Sequence, residues 1–170
     1  AVEARHAAPL LWRAQTTAGF GLALIVQKYG GSSLADANMI IRVARRMAQA
    51  HDSGCQIVGV VSAMGDSTDR LLEVAHEVSS RPDQRELDLL LSTGELVSCT
   101  LMAMALRSLG YDAVGLTGAQ AGIRTDNTHG RARIAAVEPR RIREELSKGK
   151  IVIVAGFQGI TEESDVTTLG

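Results

Sequence analysis

Residues 23–50 constrain the fold more than any other part of this 170-residue chain. They begin with an apolar run, 23–26, which leads through Lys28 into a Gly-Gly pair. A short apolar run bounded by glycine predicts a buried β-strand. The next segment, 35–50, carries apolar residues near helical spacing. The order of strand, glycine-rich turn and helix therefore predicts the first βα unit of an α/β fold.

A turn of this kind can bind an anion. Main-chain N–H groups in the turn and at the helix N-terminus point at one place, where the helix dipole also favours negative charge. Gly30 and Gly31 lack Cβ atoms, so a phosphate can approach the main chain closely, and Lys28 adds a positive charge. The segment has neither the Walker order nor G-x-G-x-x-G. Phosphate binding therefore stands beside the alternative of a plain βα turn with a solvated lysine.

Composition bounds the class of protein. Apolar residues make up 45% of the chain and aromatic ones only 3%, which predicts an aliphatic core of the kind found in a sheet covered by helices. The length suits one domain. A formal net charge of −1 gives no footprint for nucleic acid, and no apolar run approaches the length of a membrane span, so neither partner is expected.

Cysteine and histidine usage points to a reducing compartment without a metal centre. Cys55 and Cys99 lie far apart and match neither C-x-x-C nor a disulfide framework, so we expect reduced thiols and a cytoplasmic protein. The four histidines show no ligand spacing, which predicts no metal site built by the protein itself.

Beyond residue 50, apolar strands alternate with helical patterns. Strands are predicted at 56–62, 111–117 and 151–155, with a shorter one at 132–137, and helices at 67–79, 84–109 and 139–148. This alternation predicts a three-layer αβα sandwich with a mainly parallel sheet. Ligands of such sheets bind at the carboxyl ends of the strands. The loops that should face one site are 28–33, 62–69, 118–130 and 156–159.

Residues 1–22 differ from the rest of the chain. They lack sustained periodicity and carry two arginines against one acid, a composition that resembles a transit peptide only poorly. We expect a disordered or artefactual extension outside the fold, with translation beginning at Leu22. The domain is then predicted to span residues 23–170.

Several polar residues have both a structural and a functional interpretation. Ser92 to Glu95 fits S-x-x-E, a capping box that would restart helix 84–109 after a kink; alternatively, Glu95 projects into the site and binds a substrate ammonium. Ser62 and Asp66 lie just past a strand end and are either turn residues or ligand contacts. Residues 124–127 are a solvated loop or a lid. The charged residues of 139–148 are expected on the wet face of that helix.

No nucleophile is paired with a base in this sequence. G-x-S-x-G does not occur, and His129 has no evident Ser or Cys partner. Phosphoryl transfer suits such a chain, because positioning and charge neutralisation supply most of its catalysis.

Six motifs, taken together, closely resemble aspartate kinases of the amino-acid kinase family. In chain order they are QKYGGSS, VVSAMGDSTDRLL, ELDLLLSTGE, TGAQAGIRTD, KIVIVAGFQG and DVTTLG. Each motif is weak alone, but the combination is highly specific and covers residues 23–170 nearly continuously.

The resemblance implies the first step toward lysine, threonine and methionine, in which ATP and L-aspartate give 4-phospho-L-aspartate and ADP. ATP would arrive with Mg²⁺ as cosubstrate, and the full-length enzyme would be a homodimer or larger oligomer. The implied roles are a catalytic one for Lys28, phosphate or ATP binding for Lys28, Tyr29, Gly30, Gly31, Ser32 and Ser62, and substrate binding for Asp66, Glu95 and Phe157.

Members of that family continue from TTLG into R-G-G-S-D, a nucleotide-binding half and regulatory ACT domains. This sequence ends at Gly170, so we expect a fragment that is inactive alone. Two alternatives stay open: a kinase acting on glutamate or acetylglutamate, and a non-catalytic binding or interaction module.

Overall fold

The computed structural model describes Trp12–Arg13 and residues 22–170. β1 (Trp12–Arg13) pairs antiparallel with β2 (Ala23–Tyr29), at the edge of the main sheet. The other residues of the predicted N-terminal extension lie outside the described part of the chain, so the nature of that extension stays a prediction.

The main sheet contains four parallel strands, as the sequence predicts. β3 (Cys55–Val61), β4 (Ala113–Leu116) and β7 (Ile151–Ala155) join β2 in the order β1-β2-β3-β7-β4. All five residues of β7 are buried, because this strand lies between two neighbours and is covered on both faces.

Helices cover both faces of the main sheet, which confirms the αβα sandwich. The helices are α1 (Ala37–Asp52), α2 (Ser67–Val78), α3 (Gln84–Ser108) and α4 (Arg140–Ser147), and a 3₁₀ turn spans Gly31–Leu34. α1 and α3 pack on one face around Met47, Ile57 and Met102, and α4 packs on the other face beside Val152. α2 lies against α3.

A second, smaller sheet was not predicted. It consists of β5 (Ile123–Thr125), β6 (Ile134–Val137), β8 (Gln158–Ile160) and β9 (Val166–Thr168), in the order β6-β5-β8-β9. Only β6 was expected, as part of 132–137. The other three strands have three residues each, which is too short for an alternating pattern to stand out from a polar loop.

α3 is continuous over 25 residues, so the predicted interruption at its middle is wrong. The Ser92 hydroxyl donates to the Leu89 carbonyl within the helix (2.7 Å) and caps nothing. Gly94 is there for packing: a Cβ at this position would lie 3.1 Å from the Cβ of Ala63, in the loop after β3. A tertiary contact, not a helix restart, therefore explains this glycine.

By length and composition alone, α3 could cross a membrane. Half of its most apolar window is buried inside the domain, and the helix packs on α1, α2 and the main sheet. These contacts are those of a core helix.

Glu145 on α4 corrects the prediction that the charged residues of this helix are all solvated. Its side chain is 1% exposed and forms ion pairs with Arg141, Lys148 and Lys150 at 2.9–3.0 Å. Hydrogen bonds from the two lysines lower the pKa of the Glu145 carboxyl to about 2. The carboxylate thus joins α4 to the start of β7.

Candidate active site

The predicted loops meet at the carboxyl edge of the main sheet. Each is joined to another by hydrogen bonds: Ser62 N to Tyr29 O (3.1 Å), Gly65 N to Gly31 O (3.1 Å), Gly156 N to Val61 O (3.0 Å) and Gly118 N to Gln158 Oε1 (3.3 Å). The convergence predicted from strand order is confirmed. The later part of loop 118–130 instead enters β5.

The two glycines after β2 have different environments. A Cβ on Gly31 would lie 2.8 Å from the Ala63 carbonyl oxygen and 3.1 Å from that of Gly65, so this glycine permits the close contact of two loops. Among the described residues, nothing lies within 4 Å of a Cβ on Gly30, and Gly30 has ordinary extended backbone (φ −79°, ψ 166°). Gly30 therefore leaves open space beside the main chain, whereas Gly31 allows the loop after β3 to pack closely against the turn.

Lys28 and Tyr29 point in opposite directions, as neighbours on a strand must. The Lys28 side chain is exposed, and its positive charge acts on the Glu95 carboxyl. The Tyr29 side chain is buried in the core, where its hydroxyl donates to Gln27 Oε1 (2.9 Å). A contribution of Tyr29 to phosphate binding would thus come from its main chain only.

Ser32, Ser62 and Asp66 border the same loops. Ser32 lies exposed in the 3₁₀ turn, and Ser62 is held by a hydrogen bond from Ser98 Oγ to its carbonyl (2.7 Å). Asp66 precedes α2 and is exposed, and its side chain does not cap that helix. The Asp66 carboxylate is consequently available to a ligand at the loop edge.

Glu95 is a buried carboxylate at the middle of α3. Its side chain belongs to a residue only 3% exposed, and its Oε2 accepts a hydrogen bond from the Phe157 main-chain N–H (2.9 Å). Burial raises the pKa of Glu95 to about 7, against the lowering effects of Phe157, Gln158 and Lys28. A buried acid with a strongly raised pKa at a cleft is a candidate functional residue.

The raised pKa of Glu95 predicts how stability depends on pH. Between pH 4.5 and about 7 the folded protein keeps the Glu95 proton, whereas the unfolded chain has released it. The contribution of Glu95 to the free energy of unfolding is therefore complete below pH 4.5 and is lost as the pH rises through about 7. We expect the free energy of unfolding of the ligand-free chain to fall by up to about 3 kcal/mol over this interval. Urea unfolding at several pH values measures it.

Glu95→Gln is the matched control, and it should remove this slope. Glu145 cannot produce the same effect, because its lowered pKa makes stability fall only as pH drops from 4.5 toward about 2. A slope that survives in Glu95→Gln would show that another group titrates.

The Phe157 side chain lies at the cleft and is 43% exposed. Its main-chain N–H donates to Glu95, and its carbonyl accepts from Leu169 N, in the segment after β9 (3.0 Å). The sequence prediction placed Phe157 and Glu95 in one site without foreseeing that a hydrogen bond joins them.

Asp88 is a buried acid on α3 that the sequence did not single out. It lies seven residues before Glu95, two helical turns away on the same face of α3, and is 1% exposed. The signal was a pair of acids at i and i+7 within a mostly apolar stretch of the helix, which amphipathic periodicity does not explain.

The Asp88 carboxylate binds the second sheet to α3. It accepts hydrogen bonds from His129 Nδ1 (2.9 Å), from Gly130 N (3.0 Å) and from the Thr168 hydroxyl on β9. Since a carboxylate only accepts, Nδ1 of His129 carries its proton. His129, for which the sequence offered no partner, thus has a structural one.

Asp88→Ala is expected to lower the free energy of unfolding by about 2–4 kcal/mol, because it leaves the Gly130 N–H and the Thr168 hydroxyl without an acceptor. Thermal or urea unfolding measures the loss. Glu73→Ala removes an exposed carboxylate from α2 and should change stability by about 0.5 kcal/mol or less. Equal effects of the two substitutions would contradict the structural role of Asp88.

Residues 124–127 do not form a free lid. Arg124 and Thr125 belong to β5, the Thr125 and Thr167 hydroxyls hydrogen bond at 2.7 Å, and Asn127 donates to Glu163 (3.1 Å). The Asp126 carboxylate accepts from Thr128 N and Arg133 N. These bonds hold the segment against its neighbours.

The family model of the amino acid kinase family matches residues 23–170, which include every residue of the site. The chain belongs to the amino acid kinase family. The aspartokinase of Mycolicibacterium smegmatis is 55% identical over 150 residues, which cover 88% of this chain and 36% of that protein. The chain thus spans about a third of the length of the curated relatives it matches.

Solved structures agree with this assignment. A crystal structure of the aspartate kinase from Synechocystis superposes with a TM-score of 0.72 and 42% identity, covering 87% of this chain and 24% of that one. E. coli aspartokinase III in complex with aspartate and ADP superposes with a TM-score of 0.72 at 24% identity, covering 86% of this chain and 43% of that one, and shows the shared fold.

Proposed function

We propose that residues 23–170 form the phosphate-facing and amino-acid-facing part of an aspartate kinase, which transfers the γ-phosphoryl group of ATP to the side-chain carboxylate of L-aspartate. The observation that carries this proposal is Glu95, a buried carboxylate near the glycine turn whose pKa, raised by burial, is lowered in part by the positive charge of Lys28. The similarity to aspartokinases, one of them solved with aspartate and ADP, supports the choice of substrates.

Glu95 would bind the α-ammonium group of aspartate. Among the described residues, the Phe157 N–H and the side chains of Gln158 and Lys28 partly offset the burial of the carboxylate. An ammonium group would supply the missing countercharge and keep Glu95 ionised at neutral pH. A free amine is required for this pairing, so N-acetylated amino acids are expected to bind poorly, which separates this function from an acetylglutamate kinase.

In the transfer step, an oxygen of the aspartate side-chain carboxylate forms a bond to the γ-phosphorus, and the bond from that phosphorus to the β,γ-bridging oxygen breaks with its electron pair moving to ADP. The attacking carboxylate is already ionised, so no general base is needed. Lys28 would stabilise the charge of the transferring group. Main-chain N–H groups around Gly30, Gly31 and Ser32 would orient the phosphates, with Ser62 and Asp66 at the rim.

Mg²⁺ would arrive with ATP and neutralise phosphate charge. The exposed Asp66 carboxylate and the hydroxyls of Ser32 and Ser62 are oxygen donors of the type that this ion accepts. The lysine, threonine and methionine pathway, the cytoplasmic location and a homodimeric or larger full-length enzyme remain parts of the proposal that rest on the family resemblance.

The test is a chimera in which this chain supplies the segment matched in the M. smegmatis aspartokinase and the rest comes from that enzyme. Aspartate-dependent hydroxamate formation with ATP would support the proposal. A folded chimera that turns over glutamate or acetylglutamate instead, or no amino acid at all, would refute it and favour the other kinases or a binding module.

The two glycines offer a matched pair of substitutions. Gly30→Ala should leave the free energy of unfolding unchanged, since its Cβ has open space, and should raise the chimera's KM for ATP or lower its kcat by about tenfold or more, since that space is where a phosphate would approach. Gly31→Ala should destabilise the protein by about 1–3 kcal/mol, because its Cβ meets main-chain oxygens.

Both quantities are measured on each variant, by urea unfolding and by steady-state kinetics. Full activity of a stable Gly30→Ala chimera would exclude phosphate binding at this turn.

A further inference from the structure

Gln158 is a buried amide that contacts neither substrate in the function proposed above. It is the first residue of β8, directly after Phe157, and is only 4% exposed. Buried amides need partners for both of their ends, so the contacts of this side chain show what it holds in place.

The Gln158 side chain connects three elements around Glu95. Its Oε1 accepts from Gly118 N, in the loop after β4 (3.3 Å), and its Nε2 donates to Ser92 O on α3 (3.2 Å). Ser92 lies three residues before Glu95 and therefore on the same side of the helix. These two bonds use the amide oxygen and one amide N–H, and the Gln158 side chain also lowers the pKa of the Glu95 carboxyl.

The packing at Gly118 shows how closely this arrangement is fitted. A Cβ on Gly118 would lie 2.1 Å from the Gln158 carbonyl oxygen, so only glycine lets the loop approach β8 at this distance. Because Gly118 N can only donate, it fixes Oε1 toward the loop and Nε2 toward α3. The orientation of the amide is thereby set before any ligand binds.

We infer that Gln158 is a positioning residue for Glu95: its second amide N–H donates to the carboxylate and, together with the Phe157 main chain, orients it toward a substrate ammonium. The charged and titratable groups around Glu95 are Lys28, whose charge lowers its pKa, and Cys99, whose own pKa is raised by burial and by Glu95. The neutral groups beside Glu95 are the Phe157 main-chain N–H and the Gln158 side chain.

The inference rests on the proposed function for the role of Glu95 in binding an ammonium group. Its test measures the titration of Glu95 and does not require that function. In the 170-residue chain, ¹³C NMR follows the Glu95 side-chain carboxyl from pH 5 to 9, with the signal assigned by its loss in Glu95→Gln. Gln158→Met keeps the length of the side chain and removes the donor. We expect the titration midpoint to rise by about one pH unit.

Gln120→Met is the matched control. Gln120 also accepts from a main-chain N–H of the loop after β4 (Thr117 N, 3.1 Å), but it is exposed. Its substitution should leave the Glu95 midpoint unchanged. An unchanged midpoint in folded Gln158→Met, or an equal rise in Gln120→Met, would overturn the inference.

A measurement on the unsubstituted chain covers the case in which Gln158→Met does not fold. The ¹H–¹⁵N signals of the Gln158 side-chain amide should shift with pH at the same midpoint as the Glu95 carboxyl, and should stop doing so in Glu95→Gln. Amide signals that ignore the Glu95 titration would overturn the inference.

Adding L-aspartate to the same chain separates the two hypotheses. If its ammonium pairs with Glu95, the Glu95 midpoint falls on addition. No response to aspartate, together with the expected effect of Gln158→Met, would support the role of Gln158 and count against the proposed role of Glu95.

Discussion

Lys28→Ala is expected to lower kcat of the chimera by a factor of at least about 10², with aspartate binding nearly intact. A lysine that meets charge developing on the transferring phosphoryl group acts mainly in the transition state, so its loss appears in kcat more than in KM. The exposed position of Lys28 at the end of β2, beside the open space at Gly30, suits this role.

The assay requires a pH at which Glu95 stays ionised in both proteins. The charge of Lys28 lowers the pKa of Glu95, so its removal makes that carboxyl harder to ionise. Kinetics at about pH 8.5 separate the loss of transition-state stabilisation from this indirect effect.

Lys148→Ala provides the control for loss of one positive charge. Lys148 follows α4 at the opposite edge of the main sheet, where it pairs with Glu145 (3.0 Å). Its substitution should leave kcat within about twofold, since surface charges at this distance are largely screened. A raised KM for ATP with unchanged kcat in Lys28→Ala would show a lysine that only binds the ground state.

Glu95→Gln is expected to weaken aspartate binding by about 30- to 1,000-fold and ATP binding much less. Removing one partner of a buried charge pair costs about 2–4 kcal/mol, which corresponds to that range. The KM values for both substrates, measured on the same chimera, give the comparison.

Stability distinguishes this role from a helix cap. Loss of a cap would cost about 1 kcal/mol and spare the aspartate KM. In the continuous helix α3, Glu95 caps nothing, and Glu95→Gln removes a buried charge, so the ligand-free chain should be at least as stable as before at pH 8. A destabilised variant with unchanged aspartate KM would reverse our assignment. Glu73→Gln, at an exposed position of α2, should affect neither quantity.

The sequence determined the main sheet and the position of the cleft. Buried parallel strands are continuous apolar runs bounded by polar residues or glycine, so β2, β3, β4 and β7 could be predicted along with the loops at their carboxyl ends. The glycine turn after β2 could also be predicted, because its residues are adjacent in the chain. The six motifs added the family, which the comparisons confirm.

The second sheet, the hydrogen bond from Phe157 to Glu95, and the Asp88 and Gln158 networks were decided by tertiary structure alone. β5, β8 and β9 have three residues each and form only by pairing with one another, so no local pattern encodes them. Glu95 and Phe157 are 62 residues apart and Asp88 and Thr168 are 80.

At Glu145 and Gly94, local sequence patterns gave predictions that the tertiary structure contradicts. Helical periodicity placed Glu145 on the solvent-exposed face of α4. In the structure its side chain is buried and pairs with Arg141, Lys148 and Lys150. The motif S-x-x-E suggested a kink at Gly94, and contact with Ala63 explains the glycine within an unbroken helix. Local patterns record the preferences of neighbouring residues, whereas the desolvation that raises the pKa of Glu95 depends on every element packed around it.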